Sequence, residues 1–259
     1  MDMSVFIDAF VVIIILAILT WLLSVVIKDV SIVDSAWSLM FLSATLYVYF
    51  NDDFISTYET ILLGLIFVWA ARLAIYLTWR NWGEDEDKRY QDIREKYSPN
   101  FAFKSLFIIF VFQAVLAAII VIPVIAVFTG KTLKPDVGVL QYIGGAIFLL
   151  GFVYESVADM QLSSFKANPD NKNKVMNAGL WKHTRHPNYF GESLVWWGIY
   201  LFTLEYTPWW VVISPLLITW LLLKFSGVVM LEETITKRRP DYQAYIDKTN
   251  AFIPGLVKE

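Results

Sequence analysis

Residues 5–27 read VFIDAFVVIIILAILTWLLSVVI, and Asp8 is the one charged side chain in this run. An α-helix rises about 1.5 Å per residue, so about 20 apolar residues are enough to cross the hydrocarbon core of a bilayer. No small-residue cleavage site follows a short apolar core, so we expect a retained helix rather than a signal peptide. The run therefore predicts a first transmembrane helix, which ends at Lys28 and Asp29.

The composition of the whole chain agrees with a transmembrane helix near the N-terminus. Hydrophobic residues make up 57% of the 259 residues and charged residues 17%, with a mean hydropathy of +0.54. A soluble domain carries about 25% charged residues. The composition excludes a disordered chain and a nucleic-acid-binding domain, and the lack of cysteine excludes a disulfide-stapled secreted scaffold. A membrane protein is the class that remains.

Six more apolar runs are bounded by charged or turn residues. They cover residues 31–50, 57–79, 105–128, 139–157, 187–204 and 208–230. Residues 80–104 are too charged to cross a bilayer and are expected to form a solvated loop or an interfacial helix. No internal repeat or linker separates domains. The sequence thus predicts an all-α polytopic membrane protein, with seven transmembrane helices in a single integral membrane domain, 1–259.

The placement of lysine and arginine predicts the orientation of these helices. With the N-terminus outside, 17 of the 21 basic residues fall in cytoplasmic segments and two, Lys131 and Lys134, in outer loops. Arg72 and Lys224 fall within spans. Short cytoplasmic loops of membrane proteins are enriched in basic residues. We therefore expect an outside N-terminus and a cytoplasmic C-terminus.

Asp34 and Arg72 are ionisable residues within predicted spans, which by default makes them candidates for function. Asp34 lies early in the second span and Arg72 late in the third, so both are expected at comparable depths. One interpretation is a buried ion pair that orients the two helices. The other makes Asp34 a proton donor or a substrate anchor, which requires burial to raise its pKa.

Three acidic residues form a second candidate group. Glu155 and Asp159 are four residues apart, which places them on one helical face, and Glu192 lies about one turn into the sixth span. These carboxylates could accept hydrogen bonds from the ribose hydroxyls or an amide of a bound nucleotide. Alternatively they pair with Lys166, Arg185 or Lys182 at the membrane surface.

Between the fifth and sixth spans, residues 179–192 read GLWKHTRHPNYFGE. Taken locally, Pro187 and Asn188 open a helix and the two histidines are incidental. The complete string is more specific, and resembles the C-terminal signature of the steroid 5-alpha-reductase superfamily. The same element also occurs in sterol reductases and, in a close variant, in isoprenylcysteine carboxyl methyltransferases.

The resemblance covers about residues 140–256, so that 138–259 would be the cofactor-binding part and 1–137 the substrate side. A weaker similarity at residues 31–37, and at Arg72 with Tyr76, is to bacterial members of the superfamily, which implies a bacterial inner membrane. The resemblance implies cofactor-binding roles for Glu155, Asp159, Lys166, Arg185, His186, Asn188, Tyr189, Glu192, Glu232, Lys237, Arg238 and Tyr242.

The activity implied by the resemblance is reduction of a carbon-carbon double bond conjugated to a carbonyl, with NADPH bound from the cytosol. The substrate would be a lipophilic small molecule, such as a steroid-like, isoprenoid or lipid enone, and the other partners membrane lipids. Neither a nucleic acid nor a metal is expected. Arginine and lysine of the cytoplasmic segments suit the phosphates of NADPH. No glycine-rich GxGxxG motif is present for a Rossmann site.

The resemblance also implies the catalytic residues Asp34, Arg72 and Tyr76. In steroid reductases a glutamate on the second helix and a tyrosine on the third polarise the substrate carbonyl. Asp34 falls near the glutamate position and Trp69 near the tyrosine position. Indole donates a hydrogen bond but cannot deliver a proton. Three alternatives follow: Asp34 alone is the acid, or Tyr47 or Tyr76 substitutes for the family tyrosine, or the reaction differs.

Two other classes of protein remain open at this stage. The first is a membrane methyltransferase of the isoprenylcysteine carboxyl methyltransferase type, which uses S-adenosylmethionine. Three features favour the reductase over it: seven spans, Asp34 in the second span, and a C-terminal tail from Leu231 with the basic residues Lys237, Arg238 and Arg239. The second is a channel or transporter, which would need polar residues through several spans to the outer face, whereas here they concentrate in the inner half.

Overall fold

The computed structural model describes residues 3–129, 137–225, 227–228, 231–232, 235–236 and 241–257. Every regular element within these residues is a helix, and none is a strand. The predicted all-α class is therefore confirmed for this part of the chain.

Five helical segments are long and apolar enough to cross a membrane, which indicates an integral membrane protein. They are α1 (Met3–Ile27), α2 (Ile32–Phe50), α3 (Thr57–Asn81), the segment Phe101–Ile120, and α8 (Val139–Ala167). The segment Phe101–Ile120 comprises α5 (Phe101–Ser105), a π-helical turn (Leu106–Val111) and α6 (Phe112–Ile120). These five segments correspond to the first five predicted spans.

The remaining two predicted spans are shorter helices. α9 (Pro187–Thr203) has 17 residues. The apolar segment Trp209–Phe225 contains a 3-10 turn (Trp209–Val212), α10 (Ile213–Trp220) and a π-helical turn (Leu221–Phe225). The count of seven spans and their orientation stay predictions.

The fourth predicted span, 105–128, is not one continuous helix. α6 ends at Ile120, and α7 (Ile122–Phe128) starts after the turn residue Val121. Pro123 lies in the first turn of α7. Proline has no backbone N–H and its ring clashes with the carbonyl four residues before it, so it is tolerated at a helix start and not in a helix interior.

The fifth span was predicted to end at residue 157, but α8 continues to Ala167. Residues 158–167 mix polar and apolar side chains, yet they contain neither proline nor glycine, and the next proline is Pro169. Loss of hydropathy marks the edge of the bilayer, whereas a helix ends at a backbone signal. α8 therefore carries Glu155 and Asp159 in its interior.

The chain divides into two compact units. Unit 1 comprises Met1–Gly138 and Thr203–Val211, and unit 2 comprises Val139–Phe202 and Val212–Glu259. The assignment of 1–137 to the substrate and of 138–259 to the cofactor, within one membrane domain, stays a prediction.

In unit 1, α2 packs against both α1 and α3. The Ser38 hydroxyl donates to the Ala70 carbonyl at 2.9 Å, both atoms being buried. A capping box of Ser56 and Glu59 starts α3 after a short connection. Since α2 and α3 run antiparallel through this connection, the Ser38 contact places Asp34 about level with Ala74.

In unit 2, α8 and α9 approach closely enough that two glycines on α9 are required. A Cβ atom at Gly191 would lie 2.5 Å from the Glu155 backbone nitrogen, and one at Gly198 would lie 2.5 Å from that of Phe148. Small residues at this seven-residue spacing let helix backbones meet in a membrane. The glycine contact holds the start of α9 against Glu155.

Candidate functional site

Arg185, His186 and Glu232 form a cluster in unit 2 that we call the tail clamp. Arg185 Nε and Nη2 donate to the two Glu232 carboxylate oxygens at 2.7 and 2.9 Å. His186 Nε2 lies 3.0 Å from Glu232 Oε1. Arg185 is only 7% exposed. The clamp is therefore a buried, bidentate ion pair with a histidine as third member.

The backbone around Arg185 is fixed by the C-terminal segment. The Arg185 amide donates to the Asn250 carbonyl at 2.9 Å, and the Gly255 amide donates to the His183 carbonyl at 3.0 Å. Arg185 Nη1 donates to the carbonyls of Ile246 and Thr249, which lie in and directly after α11 (Tyr242–Lys248). His183 and Arg185, which belong to the motif 179–192, thus bind residues more than 60 positions away.

The clamp keeps Glu232 ionised. Burial alone would raise the pKa of this carboxyl, but hydrogen bonds from His186 and Arg185 and the Arg185 charge outweigh it and lower the pKa to about 2. A charge-assisted, bidentate contact of this kind is among the stronger polar interactions in proteins.

This geometry changes the role expected for Arg185. A guanidinium has five N–H donors, and four of them are used by Glu232, Ile246 and Thr249. The carboxylate of Glu232 occupies the bidentate position at which a phosphate was expected. The alternative in which Arg185 pairs with Glu155, Asp159 or Glu192 is wrong, since its ion pair is with Glu232.

Asn188 and two carboxylates lie together where α8 meets the start of α9. Asn188 Nδ2 donates to Asp159 Oδ1 at 3.2 Å. Glu155 and Asp159 are buried, at 2% and 4% exposure. Asn188 Oδ1 is buried and accepts no hydrogen bond from any residue that the structure describes. The amide oxygen is therefore suited to accept a hydrogen bond from a bound molecule.

The other predicted cofactor residues are distributed around these two groups. The Tyr189 ring stacks on His186, with centroids 5.4 Å apart and an interplanar angle of 3°. Tyr242 is buried, and burial followed by the Glu232 charge raises its pKa. Glu192 is half-buried and Lys166 is exposed. Lys237 and Arg238 lie outside the described residues.

In unit 1, Asp34 is the centre of a second cluster, which we call the Asp34 cluster. Its Oδ1 accepts from the Tyr90 hydroxyl at 2.6 Å and its Oδ2 accepts from Arg89 Nη2 at 2.7 Å. Gln113 Nε2 donates to the Tyr90 oxygen at 3.2 Å. Tyr90 is buried, whereas the Asp34 and Arg89 side chains keep 20% and 29% of their surface.

A short helix presents Arg89 and Tyr90 to Asp34. α4 (Lys88–Lys96) begins after Asp87, whose carboxylate caps the helix through the Arg89 amide and also binds the Arg89 guanidinium. Burial and the neighbouring Asp34 charge raise the pKa of Tyr90 well above its ordinary value. Tyr90 is therefore a neutral hydroxyl at physiological pH.

The ion pair expected between Asp34 and Arg72 is wrong, because the partner of Asp34 is Arg89. Arg72 instead lies over the ring of Tyr76, 5.2 Å from its centroid, and Arg80 lies over the same ring at 5.7 Å. A guanidinium one turn away reaches an aromatic face more readily than a carboxylate on another helix.

The structure places two residues considered for the position of the family tyrosine, Tyr47 and Trp69, in contact with residues other than Asp34. Tyr47 lies 13 residues after Asp34 on α2, about 20 Å along the axis, and its hydroxyl donates to Asp8 at 3.2 Å. Trp69 is fully buried and packs edge-on against Phe41, with ring centroids 5.4 Å apart. Tyr90 is the tyrosine that contacts Asp34.

Sequence reasoning missed Arg89, Tyr90 and Gln113. Arg89 and Tyr90 lie in the charged segment 80–104, which reads as solvated, and Gln113 lies in an apolar run. The one local signal is Asp87, a helix N-cap residue two positions before Arg89. It predicts α4 but not the contact with Asp34, which is 55 residues away.

Comparison with known proteins places the chain in a family. Residues 20–249 match the family model described as "Protein of unknown function (DUF1295)". The chain belongs to this family. It is also similar to the "Uncharacterized protein C594.04c" of Schizosaccharomyces pombe, with 27% identity over an alignment of 271 positions that covers 91% of this chain and 76% of the relative. No solved structure matches the chain.

Proposed function

We propose that this DUF1295 protein is an NADPH-dependent membrane reductase of the steroid 5-alpha-reductase superfamily. It would reduce a carbon-carbon double bond conjugated to the carbonyl of a steroid-like, isoprenoid or lipid enone. The proposal assigns cofactor binding to unit 2 and carbonyl polarisation to the Asp34 cluster. It rests on the resemblance of residues 179–192 and on the contacts of these two groups of residues.

The residues around Asn188 fit the nucleoside portions of a dinucleotide. Asn188 Oδ1 offers a buried acceptor for an amide or hydroxyl, and Asp159 and Glu155 offer carboxylates for ribose hydroxyls. Because Arg185 is held by Glu232, the proposal assigns it to holding the tail, and the phosphates to basic residues such as Lys166. Lys237 and Arg238 remain candidates for the phosphates.

The observation that carries the proposal is the hydrogen bond between Tyr90 and Asp34. Tyr90 would take the role of the family tyrosine, near whose position the sequence has Trp69. A neutral, buried phenol held at a fixed position is a preorganised donor for an oxygen on which negative charge develops. Tyr90, rather than Asp34, is then the group that contacts the substrate oxygen, and Asp34 is a positioning residue.

When bound, NADPH supplies a hydride to the β carbon of the enone. The Tyr90 hydroxyl moves its hydrogen bond from Asp34 Oδ1 to the carbonyl oxygen, where the electron pair of the double bond is delocalised. Asp34 keeps its ion pair with Arg89, so no carboxylate is left without a partner. A proton from solvent completes the α carbon, and the products are the saturated carbonyl compound and NADP+.

A second candidate is a methyltransferase that uses S-adenosylmethionine. The observation that favours it is the engagement of Arg185 by Glu232, which removes one expected phosphate ligand. S-adenosylmethionine has no phosphate, and its ammonium and ribose would suit the buried carboxylates Glu155 and Asp159. This candidate gives the Asp34 cluster no role.

Calorimetric titration of the detergent-purified protein with NADPH, NADH and S-adenosylmethionine separates the two candidates. We expect heat of binding with NADPH. Binding of S-adenosylmethionine alone would establish the second candidate, and binding of none by a folded sample would contradict both.

A matched pair of variants tests the site within unit 2. Asn188→Leu keeps the size of the side chain and removes both polar atoms, so we expect it to weaken NADPH binding about tenfold. Asn168→Leu, at an exposed position after α8, is the control and should bind as the wild type does. Equal affinity in both variants would exclude Asn188 from the cofactor site.

A further inference from the structure

A groove with a volume of about 680 Å³ runs between α2 and α3 in unit 1. Leu39 and Leu42 line it from α2, and Phe67, Ala71 and Ile75 line it from α3. Phe67 and Ile75 are more than half exposed, so the groove opens to the surface of the unit. Both helices are candidate membrane spans. The surrounding medium of such a groove is lipid, and an apolar chain suits its lining.

The length of the groove matches one leaflet of a bilayer. Its lining extends along α3 from Phe67 to Trp82, which at about 1.5 Å per residue is about 22 Å. The hydrocarbon of one leaflet is about 15 Å thick, half of the bilayer core. The groove is therefore long enough for one acyl chain and for part of the headgroup region.

The end of the groove near the start of α4 has the side chains of a membrane interface. Trp79 and Trp82 line it there and are 66% and 81% exposed. Tryptophan is enriched at the headgroup level because its ring is apolar and its N–H is polar. The polar end of a lipid would thus meet these two indoles.

Arg80 lies between the two tryptophans in sequence and is exposed. Its Nε donates to the Asn81 side chain at 3.1 Å, and its charge is among those that lower the pKa of Asp87. Its guanidinium lies over Tyr76, whose ring is 6.4 Å from that of Trp79. The guanidinium of Arg80 is therefore exposed beside the two indoles, where it can bind a phosphate.

From this arrangement we propose that the groove is a binding site for one glycerophospholipid, with an acyl chain between α2 and α3 and the phosphate at Arg80. The charge of the phosphodiester complements that of Arg80, and the chain fills the apolar lining. The lining includes none of Asp34, Arg89 and Tyr90, and the proposal does not depend on the proposed reaction.

Native mass spectrometry of the full-length protein, reconstituted with phosphatidylglycerol and then released from detergent, tests the site. Ala71→Phe places a ring in the groove, and Val68→Phe adds the same ring to the lipid-facing side of α3 outside the lining. We expect Ala71→Phe to lower the retained lipid about tenfold and Val68→Phe to retain it as the wild type does. Equal retention in both variants would overturn the proposal.

Two exposed positions keep the test valid if Ala71→Phe does not fold. Arg80→Gln and Trp82→Ala change side chains that the fold does not bury, and each is expected to lower retention of phosphatidylglycerol severalfold. Retention unchanged in both would overturn the proposal. So would a dimer that replaces the bound lipid and is lost in Ala71→Phe, since a second copy would then cover the groove.

Discussion

The tail clamp and the Asp34 cluster use the same chemistry in different surroundings. In each, an arginine binds a carboxylate at 2.7 Å and an aromatic side chain completes the group. Arg185 is almost fully buried and two of its other three donors go to backbone carbonyls, whereas Arg89 and Asp34 keep part of their surface. The clamp is a closed structural contact, and the Asp34 cluster has a hydroxyl that can change its partner.

The difference shows why an ion pair alone does not identify a catalytic site. Both arginines lie near residues that the sequence marks as functional. Burial of the arginine and the presence of a hydroxyl beside the carboxylate distinguish the anchor of the C-terminal segment from the candidate active site.

The largest expected effect is that of Glu232→Gln, which would break the closed contact. It leaves the buried Arg185 without a counter-charge, which costs about 3–5 kcal/mol. We expect a large decrease in the thermal unfolding midpoint in detergent and faster proteolysis of the C-terminal segment. Glu95→Gln, at an exposed position on α4, is the control, and an equal small decrease in both variants would contradict the clamp.

Acid should weaken the clamp in a definite pH range. Because folding lowers the pKa of Glu232 from 4.5 to about 2, its contribution is present above pH 4.5 and is lost as the pH falls toward 2. The difference in unfolding midpoint between the wild type and Glu232→Gln should therefore shrink between pH 5 and pH 2. A difference that stays constant over this range would show that Glu232 is not held ionised by the fold.

Tyr90→Phe tests whether the open cluster is the active site. It removes the hydroxyl while Asp34 keeps Arg89, so we expect turnover to fall about 100-fold with cofactor affinity unchanged. NADPH oxidation would be followed with a panel of α,β-unsaturated ketones carrying steroid, isoprenoid or acyl groups. Tyr47→Phe is the matched control, and turnover preserved in Tyr90→Phe would remove Tyr90 from the reaction.

The smallest expected effect is that of Arg89→Gln on stability. The pair with Asp34 is partly exposed, so its loss should cost about 1–2 kcal/mol, between the values for surface and buried pairs. Comparison of its unfolding midpoint with that of Glu232→Gln ranks the two clusters directly. A larger loss for Arg89→Gln would reverse the distinction between them.

Much of the helical framework follows from hydropathy, but its interruptions do not. The break at Val121 could have been read from Pro123, since proline is excluded from a helix interior. The extension of α8 to Ala167 could not have been read from hydropathy, because the bilayer boundary and the helix end are set by different forces. Asp34 does form an ion pair, but it is half-buried and its partner Arg89 lies on α4 rather than on α3.

The sequence by itself determined the membrane class and the positions of the long apolar helices, since burial in lipid acts on neighbours along the chain. Only the tertiary structure decided which side chains meet. Arg185 is joined to Glu232 across 47 positions and Asp34 to Arg89 and Tyr90 across more than 50. Such contacts depend on how helices pack in three dimensions, and a charge in a sequence does not specify which opposite charge the packing brings to it.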